Sequence, residues 1–154
     1  MTQAEGEAAS RAQHITTGPE PAVDPNRRII DAHHHLWDRG GSTYLAEQLL
    51  ADTGATHNIT HTVFVDCMAE YYQTGPEHLR PVGETRFVAA QAAQTRATRG
   101  ATIAGIVSFA DMTLGAGVEE VLAAHEQAGD GLFRGIRHAT AWSNHPEVRI
   151  GHTR

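Results

Sequence analysis

Short apolar, β-branched runs alternate along this chain with stretches whose apolar positions recur every three or four residues. Ile29 to His35 reads as a first strand. Asp38-Arg39-Gly40-Gly41-Ser42 follows as a loop, and Tyr44 to about Thr53 as a helix with Leu45, Leu49 and Leu50 on one side, closed by Gly54. His61 to Cys67 predicts a second strand, and Met68 to Pro81, with its Gly75-Pro76 turn signal, a loop. Glu84 to Thr98 predicts a helix with Phe87, Val88, Ala90, Ala92 and Ala93 as apolar cover, and Ala101 to Phe109 a third strand. Gly117 to Ala128 predicts a third helix, with Val118, Val121, Leu122 and His125 near a 3.6-residue period and His125 expected at its surface or edge. After Gly129 and Gly131, Leu132 to Ala139 reads as a fourth strand.

The order β-α-β-α-β-α-β is that of an α/β protein with right-handed crossovers and parallel strands. About four β-α units make half of an eightfold barrel; they could also form an open doubly wound sheet. Histidines, rather than a Gly-rich phosphate loop, follow the first strand, which argues against the second arrangement. Residues 1–26 are rich in Ala, Glu, Gln, Thr, Gly and Pro and lack apolar periodicity, so a disordered extension, including His14, is expected ahead of a domain spanning 27–154.

The densest chemistry lies in Asp31-Ala32-His33-His34-His35. On an extended strand Asp31, His33 and His35 share one face, and Ala32 and His34 the other. Two imidazoles at i and i+2 stand roughly 7 Å apart at Cα and can converge on one cation, which makes His33 and His35 half of a metal site. Eleven histidines in 154 residues also make chance pairs common, and a surface or hydrogen-bonded role is the plain alternative.

In a barrel, active-site groups gather at the carboxyl ends of the strands. There the sequence places Asp66 and Cys67, then Glu70, Tyr71 and Tyr72, then Asp111, and finally Arg137 and His138. Arg137 or Arg134 is the candidate anchor for a carboxylate or polarised carbonyl. Strand alternation turns Arg137 and His138 to opposite faces, with His138 expected inward and Arg137 toward the helices. Glu70 and Tyr71 are candidate substrate contacts, with packing against the next helix as the alternative for the tyrosines. Cys67 lacks a base in any sequence pattern and is expected to be a buried structural thiol.

Ile30-Asp31-Ala32-His33-His34-His35-Leu36-Trp37 resembles the first-strand signature of the amidohydrolase superfamily, in its amidohydrolase-related (amidohydrolase 2) branch of sugar-lactone hydrolases and decarboxylases. Val63-Phe64-Val65-Asp66-Cys67, Pro81-Val82-Gly83-Glu84-Thr85, Ala104-Gly105-Ile106-Val107 and Phe133-Arg134-Gly135-Ile136-Arg137-His138 extend the resemblance from about Arg28 onward. It implies the N-terminal half of a (β/α)8 TIM barrel, with His33 and His35 as ligands of a divalent ion, often Zn²⁺, although some relatives work without bound metal. It implies hydrolysis of a lactone or similar cyclic ester by metal-activated water, with decarboxylation as the alternative. The remaining histidine ligand and the proton-accepting acid are expected beyond Arg154; His145 and His152 follow the fourth strand too closely to take those roles.

A single barrel takes ~250 residues and rarely fewer than ~200, against 154 here. Half a barrel leaves strand edges unpaired and apolar faces uncovered. Such a chain is therefore expected to be unstable alone, to form a homo-oligomer that completes a barrel, or to be a catalytically silent fragment. Twelve basic and eighteen acidic residues give a formal net charge of −6, which argues against a nucleic-acid surface and leaves a small molecule as the expected substrate. Every basic residue is arginine, so lysine Schiff-base chemistry is excluded within these residues. The lone cysteine, the lack of a signal sequence and the lack of a long apolar window make a soluble cytoplasmic protein with no membrane partner the expectation.

Overall fold

The computed structural model of the chain describes residues 21–139, 143–145 and 147. Residues 1–20 of the expected extension, with His14, and the 148–154 end, with His152, lie outside the described residues.

The protein is an α/β structure built on a four-stranded sheet. Its first strand, β1 (Arg28–His34), is followed by a hairpin of β2 (Trp37–Arg39) and β3 (Ser42–Tyr44), and then by helix α1 (Ala46–Thr53). Strand β4 (Asn58–Val65) leads through a loop and a short 3₁₀ turn, Glu77–Leu79, into α2 (Val82–Arg96). Strand β5 (Thr102–Phe109), a second 3₁₀ turn over Met112–Gly117, helix α3 (Val118–Ala128) and strand β6 (Phe133–Arg137) complete the described elements. The sheet runs β1-β4-β5-β6, parallel throughout. Each strand therefore joins the sheet beside its predecessor, and the order never reverses. An open doubly wound sheet turns back on itself at a switch point; these strands contain none.

The helices cover one face. Phe64 and Ile106, in register across β4 and β5, are fully buried with Val88 and Ala92 of α2 and with Leu36 and Leu49. Aliphatic side chains on facing elements remove apolar area from water at about 25 cal/mol per Å². Ser108, one pleat further along β5, reaches the same side: its hydroxyl lies 2.6 Å from that of Thr85 on α2. The alternate positions, Val63, Val65, Val107 and Phe109, point to the opposite face, which no described helix covers.

Two departures from the expected elements have local causes. The hairpin lies where a loop is expected: Gly40 and Gly41 take φ of 61° and 79°, the positive values that a two-residue turn of the type matching strand twist demands. Helix α2 starts two residues ahead of the predicted Glu84, because Pro81 holds φ at −60° and lacks the amide that a first turn leaves unsatisfied.

Candidate functional site

Both expected ligands stand at the carboxyl end of β1. His34 aligns with Phe64 and is buried on the helix side, its ring edge-on to that of Phe64 and its Nε2 3.1 Å from the Thr62 hydroxyl. His33 and His35, on either side of it, therefore face the open side of the sheet, with ring centroids 4.9 Å apart and planes at 85°. His35 Nδ1–H donates to the Val65 carbonyl at 2.7 Å, leaving Nε2 as a free lone pair. An imidazole fixed in this way through its second nitrogen is arranged as metal-bound histidines are. Asp31 does not join them. The pairing slips between Asp31 and His34, so Asp31 aligns with helix-side Thr62 and breaks the strict alternation; its carboxylate accepts the His33 amide at 3.1 Å.

The next strand contributes a buried acid cluster. Asp66 and Glu84 are each 1 % exposed. Glu84 Oε1 accepts the amides of Cys67 at 3.1 Å and Ala69 at 2.7 Å, which fastens the loop after β4 to the first turn of α2. Its Oε2 is buried and meets no donor. Burial, and then a hydrogen bond and repulsion from Asp66, push the Glu84 carboxyl up to about 8. A proton carried by Glu84 toward Asp66 lets the two acids be buried together. Asp66 is held from the other side: Tyr71 donates its hydroxyl to Asp66 Oδ1 at 2.5 Å, Arg137 Nε stands 3.7 Å from Asp66 Oδ2, and an Arg137 terminal nitrogen donates to the Asp66 carbonyl.

The register reverses the orientation expected of the β6 pair. Ile136 aligns with helix-side Ser108 and Arg137 with Phe109, so Arg137 lies on the open side and its guanidinium reaches back across the strand ends to Asp66. His138 packs against the Phe109 ring at 5.5 Å, accepts the Met112 amide at 2.9 Å through Nδ1, and lines a shallow hollow of about 460 Å³ with Met112, Thr113 and Ile136. The expectation of Arg137 toward the helices is corrected by the register, in which the bulge at Arg134 sets the phase of β6 so that Arg137 aligns with Phe109.

Of the loop candidates, Tyr71 joins the cluster through Asp66, whereas Glu70 is exposed with φ at 52°. Cys67 is half-buried. Burial, and then Glu84, raise its thiol to about 11, and Sγ donates to the Leu36 carbonyl at 3.3 Å, which is the behaviour of a structural thiol. Asp111 is held below its usual range by hydrogen bonds from Thr113 and forms part of the following turn. His125 is fully buried, which corrects the surface placement. Thr85 donates to its Nδ1 at 2.8 Å and its Nε2–H reaches the Phe109 carbonyl at 3.0 Å; burial lowers its pKa, so it is a neutral strut between α3, α2 and β5.

Glu84 is the residue that reading the sequence missed. An acid in the first turn of a helix is ordinarily a solvated partner of the helix dipole. The signal for another role was the Pro-Val-Gly-Glu run, where a glycine beside the acid marks a close approach: a Cβ on Gly83 would lie 2.5 Å from the Glu70 carbonyl.

The chain matches no family model, no curated protein and no solved structure. Among the described residues no group of three or more His, Cys, Asp or Glu side chains is arranged to hold a metal ion. The His33–His35 pair fits two positions of a metal site, and further ligands have to come from elsewhere. No helix among the described residues is long and apolar enough to cross a membrane.

Proposed function

We propose that this chain is the metal-binding half of a metal-dependent hydrolase barrel of the amidohydrolase type, acting on a lactone or similar cyclic ester. The observation that carries this reading is the His33–His35 pair at the carboxyl end of the first strand, 4.9 Å apart on the open face, with the His35 ring anchored through Nδ1. The unreversed parallel order β1-β4-β5-β6 supports a barrel, in which such ends form the active-site face.

His33 and His35 would hold the ion, which when bound lowers the pKa of a water toward ~7 and polarises a carbonyl. The remaining work falls to the chain's own groups. Tyr71 is part-buried and donates its hydroxyl to Asp66, and in this reading that hydroxyl exchanges a proton with a bound group while Asp66 accepts or returns it. Arg137 holds Asp66 in place, its Nε 3.7 Å from Asp66 Oδ2. Decarboxylation on the same scaffold is the second reading, favoured only to the extent that the Arg137 guanidinium, partly exposed on the open side, could bind a carboxylate.

Titration calorimetry with Zn²⁺ tests the reading directly. Binding that disappears in the His33→Ala/His35→Ala double variant, with hydrolysis of a γ-lactone lost in parallel, is the expected result. Zinc bound equally well by the double variant would remove the assignment.

A further inference from the structure

Successive carbonyls at the carboxyl end of β4 each receive a nitrogen side chain from a different element. His35 Nδ1–H donates to the Val65 carbonyl at 2.7 Å, an Arg137 terminal nitrogen donates to the Asp66 carbonyl, and Arg39 Nη2 donates to the Cys67 carbonyl at 3.1 Å. The Asp66 amide bonds to the Val107 carbonyl of β5, so the Asp66 carbonyl also faces β5, with Arg137 of β6 beyond it. The end of β1, the β2–β3 hairpin and β6 thus converge on roughly 7 Å of chain.

Of the arginines near this end, the one on the hairpin keeps the most donors for a ligand. Arg134 stands near the amino end of β6 and spends Nη1 on the Gly131 and Phe133 carbonyls at 2.7 and 2.9 Å. Arg137 is turned onto Asp66, its Nε 3.7 Å from the carboxylate. Arg39 forms no ion pair among the described residues, and its bond to Cys67 uses one of the five N–H donors of a guanidinium. Its backbone is held firmly. Gly40 and Gly41 close the hairpin, Trp37 stacks on Tyr44 with centroids 5.1 Å apart and donates Nε1–H to the Ser42 hydroxyl at 3.0 Å, and Cys67 Sγ ties the hairpin's base through the Leu36 carbonyl at 3.3 Å. The adjacent acid, Asp38, points to the other face of the hairpin and accepts the Thr43 hydroxyl at 2.8 Å. A guanidinium oriented before its ligand arrives loses little freedom on binding it.

We infer that Arg39 is a specificity-determining residue that receives a carboxylate carried on the substrate ring, so that the substrate class is an anionic lactone rather than a neutral one. Placing the reacting carbonyl at His33 and His35 rests on the hydrolase reading; the anion site at Arg39 does not. Arg39 and His35 bond carbonyls two residues apart, a separation on the order of 7 Å that suits a small ring with one substituent. The planar fork of a guanidinium matches a carboxylate. A chain of net charge −6 repels anions overall, so an anionic substrate needs a local counter-charge of this kind.

Two γ-lactones test this, 5-oxotetrahydrofuran-2-carboxylate and γ-butyrolactone, which share the ring and differ in the carboxylate. Losing a charge-assisted hydrogen bond weakens binding roughly ten- to a hundredfold. With zinc present, Arg39→Gln, whose amide still donates to the Cys67 carbonyl, should raise KM for the carboxylate lactone at least tenfold, while its kcat and both constants for γ-butyrolactone stay within twofold. Arg39→Lys should recover part of the loss. A residue that merely holds Cys67 would change both lactones alike or neither, and either result overturns the proposal. Should Arg39→Gln lack the wild-type far-UV dichroism, Arg39→Lys replaces it, with at least a threefold difference between the two lactones required. Zinc-free calorimetry separates this proposal from the hydrolase reading. Carboxylate-lactone binding that weakens tenfold in Arg39→Gln, with neither lactone hydrolysed, keeps the anchor and sinks the hydrolase reading. Hydrolysis of both lactones indifferent to Arg39 does the reverse, and a wild-type chain that neither binds nor hydrolyses them removes both.

Discussion

At the scale of single residues the most informative group is Glu84, a carboxyl kept protonated by its surroundings. Its folded pKa of about 8 lies above the ordinary 4.5, so the folded state holds a proton that the unfolded chain releases between those values. Stability from this group is complete below about 4.5, falls as pH rises toward 8, and is level above that. The slope cannot exceed about 1.4 kcal/mol per pH unit. His34 and His125 act in the opposite sense: burial lowers both, so they cost stability as pH falls below about 6.5. The window from 6.5 to 8 therefore isolates the acid. Glu84→Gln keeps an oxygen for the Cys67 and Ala69 amides and a donor for Asp66 while abolishing the titration. Urea melts should show wild-type stability declining across that window and the variant nearly flat. Parallel slopes would mean that the Asp66–Glu84 proton is not held as described.

At the scale of elements, the coupling between α2 and the loop after β4 is the feature on which the site depends. Glu84 accepts two amides of that loop, Met68 and Glu70 adopt φ of 66° and 52°, and Gly83 lets the helix start within contact of the Glu70 carbonyl and Tyr72 amide. A methyl at Gly83 would meet backbone at 2.5 and 2.7 Å, and backbone cannot rotate aside. Gly83→Ala should cost about 1–3 kcal/mol as overpacking and displace Tyr71 from Asp66. Gly117→Ala is the control: φ there is −64°, and the new methyl meets Leu114 at an ordinary 3.7 Å. It should be neutral or stabilise by about 0.4–1 kcal/mol. Thermal melts of the two variants, with near-UV dichroism as the report on Tyr71, check the contrast; equal effects would contradict it.

The same elements show how much the sequence disclosed. The four main strands and three helices were legible because each is an apolar run or an apolar period bounded by glycine or proline. The hairpin was not, since Trp-Asp-Arg and Ser-Thr-Tyr are three-residue strands without an apolar alternation, and only Gly40-Gly41 signals the turn. His33 and His35 were legible because period two is a local rule. The Asp66–Glu84–Tyr71–Arg137 cluster was not: its members join across as many as 71 residues, and side-chain direction at β6 depends on a bulge that no composition rule announces.

At the scale of the whole molecule, the question is whether the outer strands remain outer. In a parallel ladder successive amides point to alternate sides, so in β1 and β6 about half the N–H groups face away from the sheet. Outward amides with no acceptor among the described residues should exchange with deuterium faster than those of β4 and β5, which exchange only through larger openings, whereas the His33 amide is bonded to Asp31 Oδ1 at 3.1 Å. Exchange followed residue by residue should therefore show strong protection in β4 and β5, which are bonded on both sides, and weaker protection at the outward amides of β1 and β6. Protection as strong in β1 and β6 as in β4 and β5 would mean that both edges are covered and that the sheet is not open where the strand order leaves it open.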